Sequence, residues 1–537
     1  MYMPIIHRCL YIRKYCIKVY EKLHIFSNVA KDNQKVCKAG ENLEYISKNL
    51  EENIAFIEEA FQDCGDIVRR HFFTGEKKDI AVYMLYADNN IRNTTVEDAI
   101  LTNIMNRSRI DSQKEGMLKR LNEEVIAIGE MTEVKTFQEV FDGVLTGDTI
   151  LLMDGNDIAL RASTKGFPSR GVGEAKTEVV VQGPKDAFTE IGAWNLVLIR
   201  RRIHDTKLKV KRIKIGTRSR TDVSILYMED IVRKEILKEV EDKLDKINLD
   251  GILDSGYVEQ LLEKQWLSPF PQLQMTERPD KASSALLEGR IVIVVDNTPF
   301  VVMIPATLNV FFQAAEDYYD RWEIMSFIRL IRYCAGFLAV ALPGLYIALT
   351  VFHPSMLPTN LALKIAQTRQ NIPFPAVGEI LIMELAFELL REAGIRLPSP
   401  VSSTIGIVGG IIIGQAAVEA GIVSPSVVII SALTGICTFV IPNISLVSGL
   451  RLTKYIVLIL SAILGLYGFW LALILVLIHM ASLKSFRIPF LYPFCSASVN
   501  DYNDLEDSIF RLPLWFMKKR TIFSNSYYRQ KGKGGEK

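Results

Sequence analysis

The feature that most constrains this chain is the near absence of charge over long stretches of its C-terminal part, whereas charged residues are dense and of mixed sign up to Arg332. Four stretches carry no Asp, Glu, Lys or Arg: 333–363, 397–418, 420–450 and 455–483. A helix that crosses a bilayer needs roughly 20 mostly apolar residues, and lipid offers no partner for a free backbone group. The pattern therefore predicts an all-α membrane domain with about four spans behind a water-soluble region.

Length, charge and cysteine usage exclude several classes of protein. The 537 residues are too many for one globular core, and a net charge of +2 predicts no nucleic acid as partner. The seven cysteines show no CxxC or zinc-type spacing, so we expect no metal, no cofactor and a reducing compartment for the soluble part. Residues 1–26 lack the uninterrupted apolar core of a signal peptide, which favours the cytoplasm. They are typical of a structural extension or of an amphipathic surface anchor.

The soluble region has the mixed pattern of an α+β domain. Periodicity predicts helices over 42–63, 93–106, 229–246 and 252–266. It predicts strands over 80–86, 149–153, 157–162, 178–181, 207–215, 223–228 and 290–295. A loop rich in glycine and proline at 163–173 suggests two subdomains. The predicted organisation is an N-terminal extension at 1–45, cytoplasmic α/β subdomains at 46–166 and 167–320, a transmembrane domain at 321–483 and a basic cytoplasmic tail at 484–537.

No motif in the soluble region is typical of an enzyme. The sequence has no phosphate-binding loop, dinucleotide fingerprint, HExxH or GxSxG, and its six histidines are spread singly. Asp63 and Asp66 are interpreted as water-exposed carboxylates at a helix end that Gly65 terminates. The sequence therefore predicts a protein without catalytic residues.

Basic residues concentrate at 200–220, where Asp205 is the one acid before the last arginine. Alternation over 207–215 favours a strand whose lysines face water. The same run is also compatible with anionic lipid headgroups and, less well, with nucleic acid, for which the interleaved aromatic residues are missing.

Two small groups in and directly after the second charge-free stretch are candidate packing and pore residues. Gly406, Gly410 and Gly414 recur every fourth residue and so share one helix face, where another backbone can approach closely. Gln415 and Glu419 lie one turn apart on a neighbouring stripe. A carboxylate in a span is costly without water or a partner, so Glu419 is a pore or coupling candidate; the alternative is a capping or interfacial position.

A different kind of helix is predicted between Pro375 and Pro398. Glu384, Glu388 and Arg391 fall on one face of it, while apolar residues cover the remainder. The charged face suits either an ion path or a position flat at the membrane interface. Upstream prolines remove helical hydrogen bonds and are candidates for a gate or hinge; they include Pro343, Pro354 and Pro358.

Basic residues after 483 predict a cytoplasmic tail on the same side as the N-terminal domain, which requires an even number of spans. Four fit: 330–352, 403–422, 426–447 and 455–481. In this arrangement the helix at 377–396 does not cross, and Arg451 and Lys454 lie outside on a loop.

Several segments resemble the A subunit of the GerA-type spore germinant receptor family, over most of the chain from about Glu52. They include DCGDIVRRHF at 63–72, EDYYDRW at 316–322, LPGLYIALTVFHPSMLP at 342–358, MELAFELLREAGIRLP at 383–398 and IGQAAVEAGIVSP at 413–425. One departure is IGAW at 191–194, where the family usually has a more charged segment.

This resemblance implies a protein of the inner spore membrane that acts with a permease-like B subunit and a lipoprotein C subunit. It also implies that nutrient sensing rests largely with the B subunit, and that A subunits self-associate into an oligomeric, ligand-gated ion channel. Two other functions stay open at this point: a secondary transporter subunit and a membrane-anchored signalling scaffold.

Overall fold

The structure is a computed structural model. It describes residues 45–74, 80–88, 90–92, 94–107, 121, 125–166, 173–175, 177–370, 372–396, 414–495, 504–517 and 520–525.

The first subdomain is built on an antiparallel sheet of five strands. The strands are β1 (Ile67–Thr74), β2 (Ile80–Ala87), β3 (Met131–Val134), β4 (Thr149–Met153) and β5 (Ala159–Ala162), in the order β1-β2-β4-β5-β3. Helices α1 (Leu50–Ala60) and α3 (Phe137–Leu145) cover one face, and a π-helix (Thr95–Leu101) with α2 (Thr102–Arg107) covers the other. Successive residues of β2 therefore enter different cores: Val82 packs with Ile100, and Tyr83 with Phe137.

The second subdomain repeats this architecture. Its strands are β6 (Leu208–Ile215), β7 (Thr221–Met228), β8 (Gln274–Thr276), β9 (Ile291–Val295) and β10 (Val301–Ile304), in the order β6-β7-β9-β10-β8. One face is covered by α4 (Gly192–Arg200) and α7 (Pro279–Leu287), and the other by α5 (Lys234–Leu244) and α6 (Ser255–Leu262). A short helix, α8 (Leu308–Phe312), leads out of the sheet towards the apolar helices.

The two sheets meet where the turn after α1 contacts β6. Backbone hydrogen bonds join Gly65 to Val210 (2.9 Å) and Val210 to Asp63 (3.1 Å). Asp66 is 3% exposed and accepts two hydrogen bonds from Arg200, at 2.6 and 3.0 Å. The interpretation of Asp66 as a carboxylate in water is therefore wrong, because it is the buried partner of an arginine from the other subdomain.

Most predicted elements of the soluble region exist. The strand predicted at 178–181 is wrong, because the backbone there is irregular and Glu178 is held by Lys281 at 2.6 Å. Most of the loop predicted at 163–173 lies outside the described residues. In β6 the lysines mainly face outward, as predicted, but Lys209 is buried and donates to the carbonyl of Ala60 at 3.1 Å. The charges of β6 are balanced within the chain, since each cation pairs with an acid: Lys209 with Glu229, Lys211 with Glu241, Arg212 with Asp88 and Lys214 with Asp222.

The C-terminal part is helical. Its helices are α9 (Trp322–Ile347), continued by a π-helix (Ala348–Phe352), then α10 (Thr359–Thr368), α11 (Ala376–Arg396), α12 (Pro425–Phe439) and α13 (Ile444–Ser482). Among the described residues, two helical stretches are long and apolar enough to cross a membrane: Trp322–Phe352 and Ile444–Ser482. At 15 residues, α12 measures only about 22 Å.

Helix α13 is a hairpin rather than a rod. Gly465 has φ 61° and ψ −135°, a conformation outside the helical region that favours glycine. Gly449 abuts the carbonyl of Pro269, while His479 contacts Ser268 at 3.0 Å. These two residues would lie about 45 Å apart on a straight helix, so the chain must reverse at Gly465. We call 444–464 the first arm and 466–482 the second arm.

The turn at Gly465 corrects the predicted spans 426–447 and 455–481. The break lies between Phe439 and Ile444 and again at Gly465, not near residue 451. Arg451 and Lys454, which were expected on an outside loop, lie within the first arm. The predicted span 403–422 falls largely outside the described residues.

Contacts between helices define a proximal end, beside the second subdomain, and a distal end. Helix α9 starts at the proximal end, and its continuation brings Phe352 against Gly465 at the distal end. Helix α11 runs the opposite way, since Glu379 contacts Ser424 at the start of α12 and Arg391 contacts Thr438 near its end. Helices α11 and α12 are therefore parallel to each other and antiparallel to α9 and the first arm.

The described parts of the predicted tail pack against the second subdomain. The Ser485 hydroxyl donates to the carbonyl of Gln272 at 2.6 Å and accepts from the amide of Ala306 at 3.0 Å. Farther along, the amide of Asn525 donates to the carbonyl of Ile231 at 2.7 Å. The described parts of the C-terminal region are therefore packed as part of the soluble domain.

Candidate functional site

The candidate site is a group of two carboxylates and two cations between α11 and the first arm of α13, which we call the helix cluster: Glu384, Glu388, Arg451 and Lys454. Glu384 and Lys454 are buried, whereas Glu388 and Arg451 are half-buried. Arg451 donates to both carboxylate oxygens of Glu388, from Nε at 3.0 Å and from Nη2. Lys454 donates to Glu384 and lies 3.8 Å from Glu388. The four charges sum to zero.

The cluster forms because the two helices carry matching spacings. Glu384 and Glu388 are four residues apart on α11, and Arg451 and Lys454 are three apart on an antiparallel helix, so each pair presents one face to the other. The side chains of Glu384 and Lys454 are each only 4% exposed. Taking such charges out of water is costly unless they pair, so the cluster holds these helices in one register. Glu384 Oε1 is buried without a hydrogen-bond partner among the described residues.

Arg391 stands apart from the helix cluster, although it was predicted to share its face. Its Nη2 donates to Thr438 Oγ1 at 2.9 Å, and its guanidinium lies 5.1 Å from the ring centroid of Phe439. Arg391 therefore joins α11 to the proximal end of α12.

A second polar cluster lies at the distal end. Glu379 is fully buried, accepts from Arg369 Nε at 3.1 Å, and accepts from both the amide and hydroxyl of Ser424, at 2.8 and 2.7 Å. The Ser424 hydroxyl lies 3.3 Å from that of Ser426, which lies 2.8 Å from the hydroxyl of Tyr346. This distal cluster connects the segment after α10 to α11, α12 and α9.

Gln415 and Glu419 are exposed on a short helix at 414–419. Gln415 Nε2 donates to Glu419 Oε1 at 2.9 Å, so the pair predicted one turn apart does meet. Gly414 is buried, and a methyl group there would lie 3.4 Å from Val428 of α12, which is an ordinary contact distance, so the packing role of this glycine stays a prediction. Gly406 and Gly410 lie outside the described residues. The pore role of Glu419 stays a prediction.

The three candidate hinge prolines occupy different positions. Pro343 is buried inside α9, one turn before the helix becomes a π-helix. Pro354 begins a short 3-10 turn, and Pro358 is the residue before α10. Because Pro343 has no N–H, the carbonyl of Ala339 lacks its usual helical donor, which makes this point of α9 easier to bend.

A third group of charges, the junction cluster, ties the soluble domain to the first apolar helix: Asp317, Arg329, Arg332, Asp507 and Arg511. Asp317 is fully buried and accepts from Arg329 Nε at 2.7 Å and from Arg332 Nη1 at 2.7 and 2.9 Å. Arg329 Nη1 also donates to Asp507 of the C-terminal region at 2.7 Å. One set of ion pairs thus joins three parts of the chain.

Tyr318 adds to the junction cluster from the domain side. Its hydroxyl donates to Asp507 Oδ2 at 2.7 Å, and its ring centroid lies 5.4 Å from the guanidinium groups of both Arg329 and Arg511. Burial, with Asp507 beside it, holds the pKa of Tyr318 well above its ordinary value. The phenol therefore remains a hydrogen-bond donor at physiological pH.

Two of the four members of the helix cluster, Glu384 and Glu388, were predicted from the sequence, whereas the junction and distal clusters were not. A signal for the junction cluster exists, since Arg329 and Arg332 lie one turn apart at the start of an apolar stretch. For the helix cluster, the signal is that Arg451 and Lys454 are the only charges between 420 and 483. Charges in so apolar a segment need partners, and Glu384 and Glu388 supply them.

Together, an α+β domain of two sheets and a bundle of apolar helices with buried ion pairs define a protein with a soluble domain fused to a membrane-type helical region. The family model described as Bacillus/Clostridium GerA spore germination protein matches residues 55–523. The chain belongs to this GerA family of spore germination proteins, which confirms the resemblance inferred from the sequence.

The chain is also similar to individual relatives and to one solved structure. Spore germination protein KA of Bacillus subtilis (strain 168) is 39% identical over 475 residues, covering 88% of this chain and 86% of the relative. An uncharacterized membrane protein, YfkQ, of the same organism is 36% identical over 494 residues, covering 92% and 94%. The crystal structure of the N-terminal domain of the A subunit of the Bacillus megaterium spore germinant receptor GerK3 is 33% identical, with a TM-score of 0.41, and covers 50% of this chain and 98% of that one.

Proposed function

We propose that this chain is the A subunit of a nutrient-responsive spore germinant receptor and an oligomeric, non-enzymatic channel component of the inner spore membrane. It would release ions when a partner subunit senses the germinant. The expected partners are a permease-like B subunit, a lipoprotein C subunit and further copies of this chain. Membership of the GerA family supports the part in germination.

The observation that carries the channel part of the proposal is the helix cluster. Ionisable side chains among apolar helices are costly, and they commonly mark ion paths or the elements that open them. Here two carboxylates and two cations lie between α11 and the first arm of α13. Breaking these pairs would expose two carboxylates of α11, Glu384 and Glu388, towards an aqueous path.

The arrangement of helices supports a membrane topology with the soluble domain and the C-terminal region on one side. Helices α9, α11, α12 and the two arms of α13 run between the same proximal and distal ends. The soluble domain contacts the proximal start of α9, and the C-terminal region follows the proximal end of the second arm, which agrees with the expected cytoplasmic position of both soluble parts. In this topology, unlike the one predicted from the sequence, α11 crosses.

The proposal is tested by reconstituting the purified full chain in liposomes and measuring ion flux and oligomeric state. The substitution Glu388→Lys places a third cation beside Arg451 and Lys454, so we expect at least a several-fold change in the ion flux. The matched control is Asp245→Lys, the same charge reversal at an exposed position of the soluble domain. Unchanged flux in the Glu388→Lys oligomer, or no flux from any oligomer, would argue against a channel.

A membrane-anchored scaffold is the alternative that the structure also supports. The four charges of the helix cluster are paired within one chain, and such pairs can fix α11 against the first arm of α13 without conducting ions. The double variant Glu388→Arg with Arg451→Glu restores the pair with reversed polarity. A scaffold requires only the pair, so germination would return to normal. A channel that uses the sign of the charge would keep an altered ion selectivity.

A further inference from the structure

A cavity of about 430 Å³ lies between the second subdomain and the proximal ends of the apolar helices. On the domain side it is lined by 177–180, the start of α7 and 314–316. On the helix side it is lined by the end of α11, the connection from α12 to α13 and the first turns of α13. The cavity thus lies where the soluble domain meets the start of the first arm of α13.

Arg391 is the cation of this cavity that lacks a carboxylate within ion-pair distance among the described residues. Its Nη2 is bonded to the Thr438 hydroxyl, while its Nη1 is buried without an acceptor. The other three cations of the lining are each paired: Arg278 with Asp280, Lys281 with Glu178 and Arg451 with Glu388. Leaving a charge partly buried and unpaired is costly, so the surroundings of Arg391 favour an anion.

The rim of the cavity is apolar and exposed. Ile395, Phe439 and Ile444 are 74%, 75% and 59% exposed, and all three lie on the helix side. A small hydrophilic anion would satisfy Arg391 but leave this surface in water. An anion that carries an apolar chain satisfies both, and basic pockets between membrane helices bind lipid headgroups in this way.

We propose that the cavity binds the phosphate headgroup of an anionic membrane lipid. The phosphate would accept charge-assisted hydrogen bonds from Arg391, whose planar guanidinium suits phosphate oxygens. The lipid chain would lie along Ile395, Phe439 and Ile444. The bound lipid would contact both the soluble domain and α11, so it would link the position of the domain to the membrane surface. This inference does not depend on ion conduction by the chain.

The test uses the purified full chain in a neutral detergent and three probes, each titrated by calorimetry: short-chain phosphatidylglycerol, phosphatidylcholine of the same chain length and inorganic phosphate. We expect phosphatidylglycerol to bind, and Arg391→Gln to weaken its binding about tenfold or more, since hydrogen bonds to charged groups carry that much. Arg391→Lys should retain part of the affinity. The control is Arg218→Gln, at an arginine whose side chain is 84% exposed, and its affinity should equal that of the unmodified chain.

Three results would overturn the proposal. Equal binding of phosphatidylcholine would show that the anionic charge is irrelevant, and an Arg391→Gln chain with unchanged affinity would show that the phosphate lies elsewhere. Inorganic phosphate bound as tightly as the lipid would assign the site to a free anion. If Arg391→Gln does not fold, Ile395→Ala decides: it should weaken binding of phosphatidylglycerol and leave any binding of inorganic phosphate unchanged. An unaffected lipid affinity in Ile395→Ala would refute the apolar part of the site.

Discussion

Replacing Asp317→Asn should loosen the joint between the soluble domain and α9. Asp317 is fully buried and its carboxylate accepts four hydrogen bonds, three from Arg329 and Arg332 and one from the amide of Ala314. Asparagine keeps the shape but removes the charge and turns one acceptor into a donor group. Arg329 would retain Asp507, and Arg332 would retain the carbonyl of Phe312 at 3.3 Å. Removing one partner of a buried ion pair costs about 3–5 kcal/mol, and that is the destabilisation we expect here.

The assay is backbone hydrogen exchange of the full chain in detergent, read in peptides that cover 322–332 and 504–517. A loss of about 3 kcal/mol corresponds to roughly a hundredfold larger population of the locally opened state, provided that exchange follows the opening equilibrium. The matched control is Glu323→Gln, an exposed carboxylate on the same helix as Arg329, which should change stability by no more than about 0.5 kcal/mol. Equal protection in the Asp317→Asn and Glu323→Gln chains would refute the reasoning, because the junction cluster would then hold nothing together.

Two further predictions concern other buried charges. Lys454→Met should lower the thermal unfolding temperature in detergent, because it leaves Glu384 buried without its cation at a cost of about 3–5 kcal/mol. Adding Glu384→Met should restore most of the lost stability. A double variant as unstable as the single one would contradict this. Burial, with Glu263 and Asp254 nearby, raises the pKa of Glu259 to about 7. Between pH of about 4.5 and about 7 the folded chain therefore keeps a proton on Glu259 that the unfolded chain releases. The free energy of unfolding should fall by at most about 3 kcal/mol as the pH rises through this range. Glu259→Gln should remove that part of the pH dependence of the unfolding temperature, and an unchanged pH profile would refute it.

Local patterns predicted those elements whose residues alternate or repeat along the chain. The strand at 149–153 is observed with the predicted bounds, because TILLM is a short apolar run whose five residues are all buried. The strand predicted at 207–215 differs from β6 by one residue, because lysines alternate with apolar residues over most of it. Strand β1 was not predicted, because apolar and polar residues do not alternate cleanly in its sequence, IVRRHFFT. Residues 67–74 form a strand because they pair with β2 along their whole length, and this pairing cannot be read from the segment itself.

The membrane half shows the same limit more sharply. Apolar stretches predicted helices, but not that α13 folds back on itself, because a single glycine at 465 is a weak signal within a long apolar run. The misplaced break put Arg451 and Lys454 on a loop. Once both lie on a helix beside α11, the carboxylates of Glu384 and Glu388 become their partners. Sequence spacing therefore identified half of the helix cluster, and three-dimensional topology supplied the other half.

The two ends of α9 are held by different forces, which decides where this helix separates first. Its proximal end is fixed by the junction cluster, whose disruption costs several kcal/mol. At its distal end the polar contact is the hydrogen bond between Tyr346 and Ser426, worth about 1 kcal/mol, beside the close packing of Gly344 on Val457. No ion pair joins α9 to α11, α12 or α13 within the part of the chain that the structure describes. Pro343 weakens the helix just before this end. Separation of α9 from its neighbours should therefore begin distally, with the soluble domain still attached to the proximal end.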